Sequence, residues 1–119
     1  MDKITTGKSG EALATNFLKK QGYKVLGMNY KCKFGEVDII AQEGDTLVFV
    51  EVKTRSSREF GLPQEAVVKR KIEHITNVAN YYRIGKKNLP AGDRIDVVAI
   101  EVGLGGIVNN LELIRNVTG

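Results

Sequence analysis

Gly35-Glu36-Val37-Asp38-Ile39-Ile40-Ala41, followed by Gly44-Asp45 and then Val48-Phe49-Val50-Glu51-Val52-Lys53-Thr54-Arg55, decides the fold. Two apolar segments, each carrying charge where a strand is usually hydrophobic, flank a Gly-Asp pair. Gly-Asp between such segments is a hairpin signal. With that pair as the loop, Glu43 pairs with Thr46, Asp38 lies opposite Glu51, and Glu36 lies opposite Lys53. One face is then wholly apolar, with Val37, Ile39 and Ala41 against Val52, Val50 and Val48. The other is apolar near the turn, where Ile40 meets Phe49, and charged at the open end. Opposed residues have Cβ atoms roughly 4.5–5.5 Å apart, and like charges so placed destabilise a sheet. Unit charges about 4 Å apart repel by about 1 kcal/mol in water and about 4 kcal/mol at an effective dielectric near 20. A divalent cation between the two carboxylates reverses that sign, because hard cations prefer oxygen ligands.

Outward from the hairpin, the chain reads as one α/β domain over residues 1–119. A first helix is predicted from about Ser9 to Gln21, with Ser9 as N-cap and Gly22 as its stop. Its apolar stripe is Leu13, Ala14, Phe17 and Leu18, with Glu11 at the edge. A strand near 23–30 precedes hairpin strands near 36–42 and 46–55. Gly61-Leu62-Pro63 opens a second helix that runs to about Arg83, with Val68, Ile72, Ile75, Ala79 and Tyr82 as its stripe. Ile95 to Ile100 reads as a buried strand, and Gly103-Leu104-Gly105-Gly106 as the turn into a last strand near 107–114. The order α-β-β-β-α-β-β indicates a mixed sheet flanked by helices.

Composition narrows the function. Of 119 residues, 42% are hydrophobic and 27% charged, ordinary values for a globular domain. No stretch approaches membrane-spanning length and the first residues lack an apolar leader, so a cytoplasmic location and no membrane partner are expected. A single cysteine, Cys32, excludes an intrachain disulfide and a cysteine-based zinc site. The net charge of +4 is unevenly spread: residues 53–87 hold nine Lys or Arg against three acids, and the remainder is slightly acidic. A basic stretch directly after an acidic pair suggests polyanion binding beside a metal site.

Other signals carry less. Gly7-Lys8-Ser9 echoes the end of a phosphate-binding loop, but Asp2 occupies the upstream glycine position and no strand precedes it. The glycines at 103–106 lack a following helix, so they form a turn rather than a dinucleotide fingerprint. His74 is the lone histidine and falls off the stripe of its helix, as a surface residue does. Asp96 has no opposed carboxylate in this register and reads as structural.

Asp38, twelve residues, then Glu51-Val52-Lys53 resembles the metal-binding core of the restriction-endonuclease-like, or PD-(D/E)xK, nuclease superfamily. Within it, Gly10-Glu11, Gly35-Glu36-Val37-Asp38 and Glu51-Val52-Lys53-Thr54-Arg55 resemble the YraN-like bacterial proteins, a group of predicted endonucleases. The archaeal Holliday junction resolvases are similar in placing a helical Glu ahead of the Asp and the Glu-x-Lys. The resemblance covers about residues 7–102, and Val37 stands where the motif nominally has proline. It implies a restriction-endonuclease-like sheet and a metal-dependent nuclease. The expected substrate is DNA, with branched or structured DNA as one candidate.

The chemistry assigns roles to these residues. Asp38 and Glu51 would hold Mg²⁺ or Mn²⁺, with Glu11 completing the set, directly or through water. Lys53 would orient or deprotonate the attacking water and offset transition-state charge. Lys8, Arg55, Gln64, Lys69, Arg70 and Lys71 are candidates for holding the nucleic acid. Glu36 either pairs with Lys53 or ends its strand in solvent. A homodimer is one arrangement by which so small a domain would cut two strands. Three alternatives stay open: a nucleic-acid-binding module without catalysis, a domain that meets an acidic protein partner, and a surface ion-pair network of Glu36–Lys53 and Asp38–Arg55.

Overall fold

Glu43 pairs with Thr46 across Gly44-Asp45, and the ladder continues through Gln42–Leu47, Ala41–Val48 and Ile40–Phe49 to Ile39–Val50. Gly44 sits at φ 57°, a left-handed conformation in which a side chain would be strained. From the turn to Ile39–Val50 the hairpin register is therefore the expected one. It belongs to a computed structural model that describes residues 2–56 and 69–118. Helix α1 spans Gly7–Lys20, and strands β1, β2 and β3 span Lys24–Cys32, Gly35–Glu43 and Thr46–Ser56. Helix α2 occupies Lys69–Arg83, and β4 and β5 span Gly92–Val102 and Val108–Ile114 around a 3-10 turn at Leu104–Gly106. The expected start of the second helix, with Gly61 to Pro63, Gln64 and Val68, lies outside the described residues.

The five strands lie side by side in chain order. Neighbours are antiparallel except β3 and β4, which run parallel from Thr46–Gly92 to Ser56–Val102. A parallel pair needs a crossover between its strands, and α2 lies in that connection. The helices cover opposite faces. Ala14 and Leu18 of α1 pack with Ile39, Ala41, Val48, Val50, Val98 and Ile100. Ile75, Val78 and Ala79 of α2 pack with Ile40, Leu47, Phe49 and Ile95. Val78 joins the expected stripe because the covered surface is wider than one row of side chains. Each fully buried Val, Leu, Ile or Phe contributes about 1.5–3 kcal/mol. None of the helices in the described residues is long and apolar enough to cross a membrane.

Two expectations need correction. The N-cap of α1 is Thr6, not Ser9. Thr6 Oγ1 accepts the Ser9 N–H at 3.1 Å, and Ser9 Oγ accepts the Thr6 N–H at 3.0 Å. Ser9 is thus the reciprocal partner of a capping box, three residues inside the actual cap.

The second correction concerns Val37, which does not share a face with Ile39 and Ala41. It packs with Ile40 against α2, whereas Ile39 packs toward α1. Strict alternation forbids that arrangement, so β2 reverses phase at Asp38. Across the ribbon, Met28 pairs with Ile39 and Tyr30 with Val37, and between them Asn29 adopts φ 53°. A left-handed Asn within a strand, with the strong local twist it introduces, accounts for the reversal.

Candidate metal and nucleic-acid site

The phase reversal opens a fork in the sheet. The β2–β3 ladder ends at Ile39–Val50, but β1 and β2 remain paired through Tyr30–Val37, Lys31–Glu36 and Cys32–Gly35. That outer hairpin peels away toward α2, and β3 continues beside β4 to Ser56. Asp38 sits at the branch point. Its side chain, rather than its backbone, bridges the gap: Oδ2 accepts the Val52 N–H at 2.8 Å. Asp38 and Glu51 are therefore not a ladder pair, as simple extension of the register had them.

Glu51 lies on the strand beyond the fork, and its side chain is only 13% exposed. Burial, and next the Asp38 carboxylate, push its pKa up to about 7. The Lys71 and Lys53 cations pull the other way. Asp38 is also raised, first by burial and then by Glu11 and Glu36, against the lowering effect of the Val52 N–H and Lys71. Glu11 reaches the same region from α1, whose buried Gly10 lies against Thr54 and Ile100. Among the described residues, the buried Glu11 Oε1 has no hydrogen-bond partner.

Glu11, Asp38 and Glu51 thus converge electrostatically, as Glu11 raises Asp38 and Asp38 raises Glu51. The donors suit a hard divalent cation: two half-buried carboxylates that repel each other, and a third with an unpartnered buried oxygen. Yet no three His, Cys, Asp or Glu side chains among the described residues close into a ready-made metal cluster. A cation from the protein itself is present instead. Lys71 Nζ stands 3.6 Å from Glu51 Oε1. Lys71 is therefore a partner of the acidic site as well as part of the basic helix. Its sequence signal was its place in the basic run, which says nothing of the carboxylate it meets.

The remaining candidates are spread around this point. Lys53 is exposed on β3 beyond the fork and close enough to lower the Glu51 pKa. Lys8, Lys69 and Arg70 are exposed and Arg55 is half-buried. Gln64 lies outside the described residues. Glu36 is an exposed strand end whose ion pair, at 3.8 Å, is with Lys31 across the ribbon rather than with Lys53. His74 is exposed.

Asp96, paired with Val50 on the neighbouring strand, belongs to a separate cluster with Tyr23, Arg94 and Arg115. It is fully buried and accepts hydrogen bonds from Tyr23 Oη (2.6 Å), Arg94 Nε (2.9 Å) and the Asn116 N–H (2.9 Å). Arg94 and Arg115 also reach Glu43, at 2.6 and 3.0 Å. Every acid in this cluster is paired, which marks it as structural. A cavity of about 150 Å³ nearby is lined by Phe49, Thr76, Asn80 and Arg94, and by none of Glu11, Asp38, Glu51 and Lys53.

The model of a family described as uncharacterised protein family UPF0102 matches residues 10–100. A UPF0102 protein of Caldicellulosiruptor saccharolyticus is 47% identical over 116 residues, which cover 98% of each chain. Another, from Syntrophus aciditrophicus, is 44% identical over 113 residues, covering 95% of this chain and 87% of that one. A third, from Geotalea daltonii, is 48% identical over 99 residues, covering 83% and 78%. The span matched by the family model contains Glu11, the Asp38 fork and the Glu51-x-Lys53 strand. This chain belongs to the uncharacterised protein family UPF0102, the YraN-like proteins.

Proposed function

We propose that this chain is a metal-dependent nuclease of the PD-(D/E)xK type that hydrolyses phosphodiester bonds in DNA, including branched or structured DNA. The observation that supports the reading is the fork, where the charge of Asp38 raises the Glu51 pKa and Glu11 raises that of Asp38, the buried Oε1 of Glu11 having no hydrogen-bond partner among the described residues. Asp38, Glu51 and Glu11 would hold Mg²⁺ or Mn²⁺. Such an ion supplies polarisation of the scissile phosphate and neutralises developing charge.

The chain's own groups would do the rest. The Val52 N–H fixes one Asp38 oxygen and so orients the carboxylate. Lys53, exposed beyond the fork, would orient the attacking water and offset charge on the phosphate. Lys8, Arg55, Lys69 and Arg70 would hold flanking phosphates, which gives affinity without base sequence.

A second reading, a nucleic-acid-binding module without useful catalysis, is favoured by one observation: Lys71 already neutralises Glu51. Glu51→Ala and Lys53→Ala separate the two. For the nuclease, both variants lose Mg²⁺- or Mn²⁺-dependent cleavage of a four-way DNA junction and keep their fold and most binding. Wild-type cleavage by both variants removes the assigned site. Salt-sensitive binding by wild type with no metal-dependent product establishes the binding module.

A further inference from the structure

Two aromatic rings that the fold has no need to expose stand at the far end of the outer hairpin. Phe34, at the β1–β2 turn, is 44% exposed, and Tyr81 on α2 is 36% exposed. Their centroids lie 5.7 Å apart in an edge-to-face arrangement. Lys33 Nζ stands over both rings, 5.3 Å from Phe34 and 5.8 Å from Tyr81. Lys86 lies nearby on α2's C-terminal side, 4.1 Å over the Tyr82 ring. The turn is held there by design of the backbone. Gly35 has φ 130°, and a Cβ there would meet the Val78 side chain at 3.7 Å, so α2 and the turn are packed together.

This pair lies in line with the fork. Phe34, in the turn that leads into β2, is four residues before Asp38, roughly 13 Å at strand rise. Tyr81 is ten residues beyond Lys71 on α2, about 15 Å at helix rise. Both elements lead from the carboxylates to the rings.

Exposed aromatic faces beside lysines are the means by which proteins hold unpaired bases: the rings stack and the cations meet the backbone. A duplex hides its base faces and offers no such contact. We propose that Phe34 and Tyr81, with Lys33, form a stacking platform for unpaired nucleotides of single-stranded DNA. The platform makes the substrate class of the fork DNA with an unpaired segment next to the cleaved bond. This rests on the nuclease reading for its nucleic-acid partner.

The chain contains no tryptophan, so Phe34→Trp introduces a single emitter at the platform that retains a stacking ring. The full-length variant is titrated in EDTA at low salt with an oligothymidylate of about a dozen nucleotides, a length suited to such sites. A blunt duplex of similar length is the comparison, and anisotropy of labelled DNA reports total binding. The single strand should quench the emission and the duplex should not. Phe34→Ala and Tyr81→Ala should each weaken single-strand binding about fivefold or more, and duplex binding less than twofold.

If both DNAs bind by anisotropy but the emission is unmoved and the alanine variants bind as wild type, the platform is overturned and the nucleic-acid reading stands. If neither DNA binds, the proposed function fails and the platform with it. Emission that instead follows protein concentration, with a doubled mass and no DNA, would make the rings a contact between copies and overturn the proposal. Both side chains are partly exposed, and the circular dichroism of each variant verifies its fold.

Discussion

Asp38 Oδ2 accepts the Val52 N–H at 2.8 Å, so the carboxylate at the heart of the candidate site also closes the sheet where its ladder fails. One oxygen is structural and the other is left for chemistry. Asparagine can keep the first role through its amide oxygen and abolish the second. Asp38→Asn should therefore retain near-wild-type stability in urea denaturation, because it also relieves the repulsion with Glu51. Asp38→Ala should cost about 1–3 kcal/mol, the penalty of a buried N–H left unpaired. Equal losses in the two variants would show that the hydrogen bond matters little.

Glu51 gives the fold an unusual pH dependence. Its folded pKa is raised to about 7 from an ordinary 4.5 by burial and then by Asp38. The native state therefore binds the proton more tightly than the unfolded state. In metal-free buffer, stability should fall as pH rises from about 4.5 to about 7 and level off above. The loss reaches up to about 3 kcal/mol at 1.36 kcal/mol per unit. Asp38, also raised, adds in the same direction. Urea midpoints across that range should lose most of this slope in Glu51→Gln. A wild-type midpoint that climbs with pH would contradict the buried position of Glu51.

Asn29 is expected to tolerate glycine and reject branched residues, because its φ of 53° is left-handed. Asn29→Gly should keep the thermal midpoint within a few degrees. Asn29→Val should lose about 1–2 kcal/mol. It should also shift the amide resonance of Val52, since the fork depends on the twist opposite Asp38. A Val52 amide unchanged in Asn29→Val would separate the left-handed residue from the fork.

Asp96→Ala should be the most damaging of these changes, at about 3–5 kcal/mol, because it removes the buried acceptor shared by Tyr23 Oη, Arg94 Nε and the Asn116 N–H. Tyr23→Phe should cost less, about 1–2 kcal/mol, for one lost hydroxyl. Burial, followed by the Asp96 hydrogen bond, pushes the Tyr23 pKa up to about 12. Ultraviolet titration should accordingly find Tyr23 ionising well after an ordinary phenol.

Local chemistry made the hairpin legible. A two-residue turn and alternating apolar positions dictate register, and the register places Asp38 near Glu51. Element order was legible for the same reason. The fork was not, because alternation assumes a regular strand, and Asn29 is unremarkable until its φ is known. Thr6 and Ser9 are both capping residues, so only the structure distinguishes the cap from its reciprocal partner. The pairing of Lys71 with Glu51, and the Tyr23–Arg94–Asp96–Arg115 network, join residues far apart in the chain, which no spacing rule connects. Phe34 at its turn and Tyr81 on α2 escaped notice because an aromatic ring looks like core until its exposure is seen.

The twist at Asn29 has a consequence beyond the site it helps to open. β1 is an edge strand, and a straight edge presents a row of unpaired N–H and C=O groups on which another chain can grow. Here that row is interrupted by a register slip between Val25 and Gly27 and again by Asn29, and exposed Lys24, Lys31 and Lys33 border it. The irregularity that separates β2 from β3 also makes this border a poor template for fibre growth.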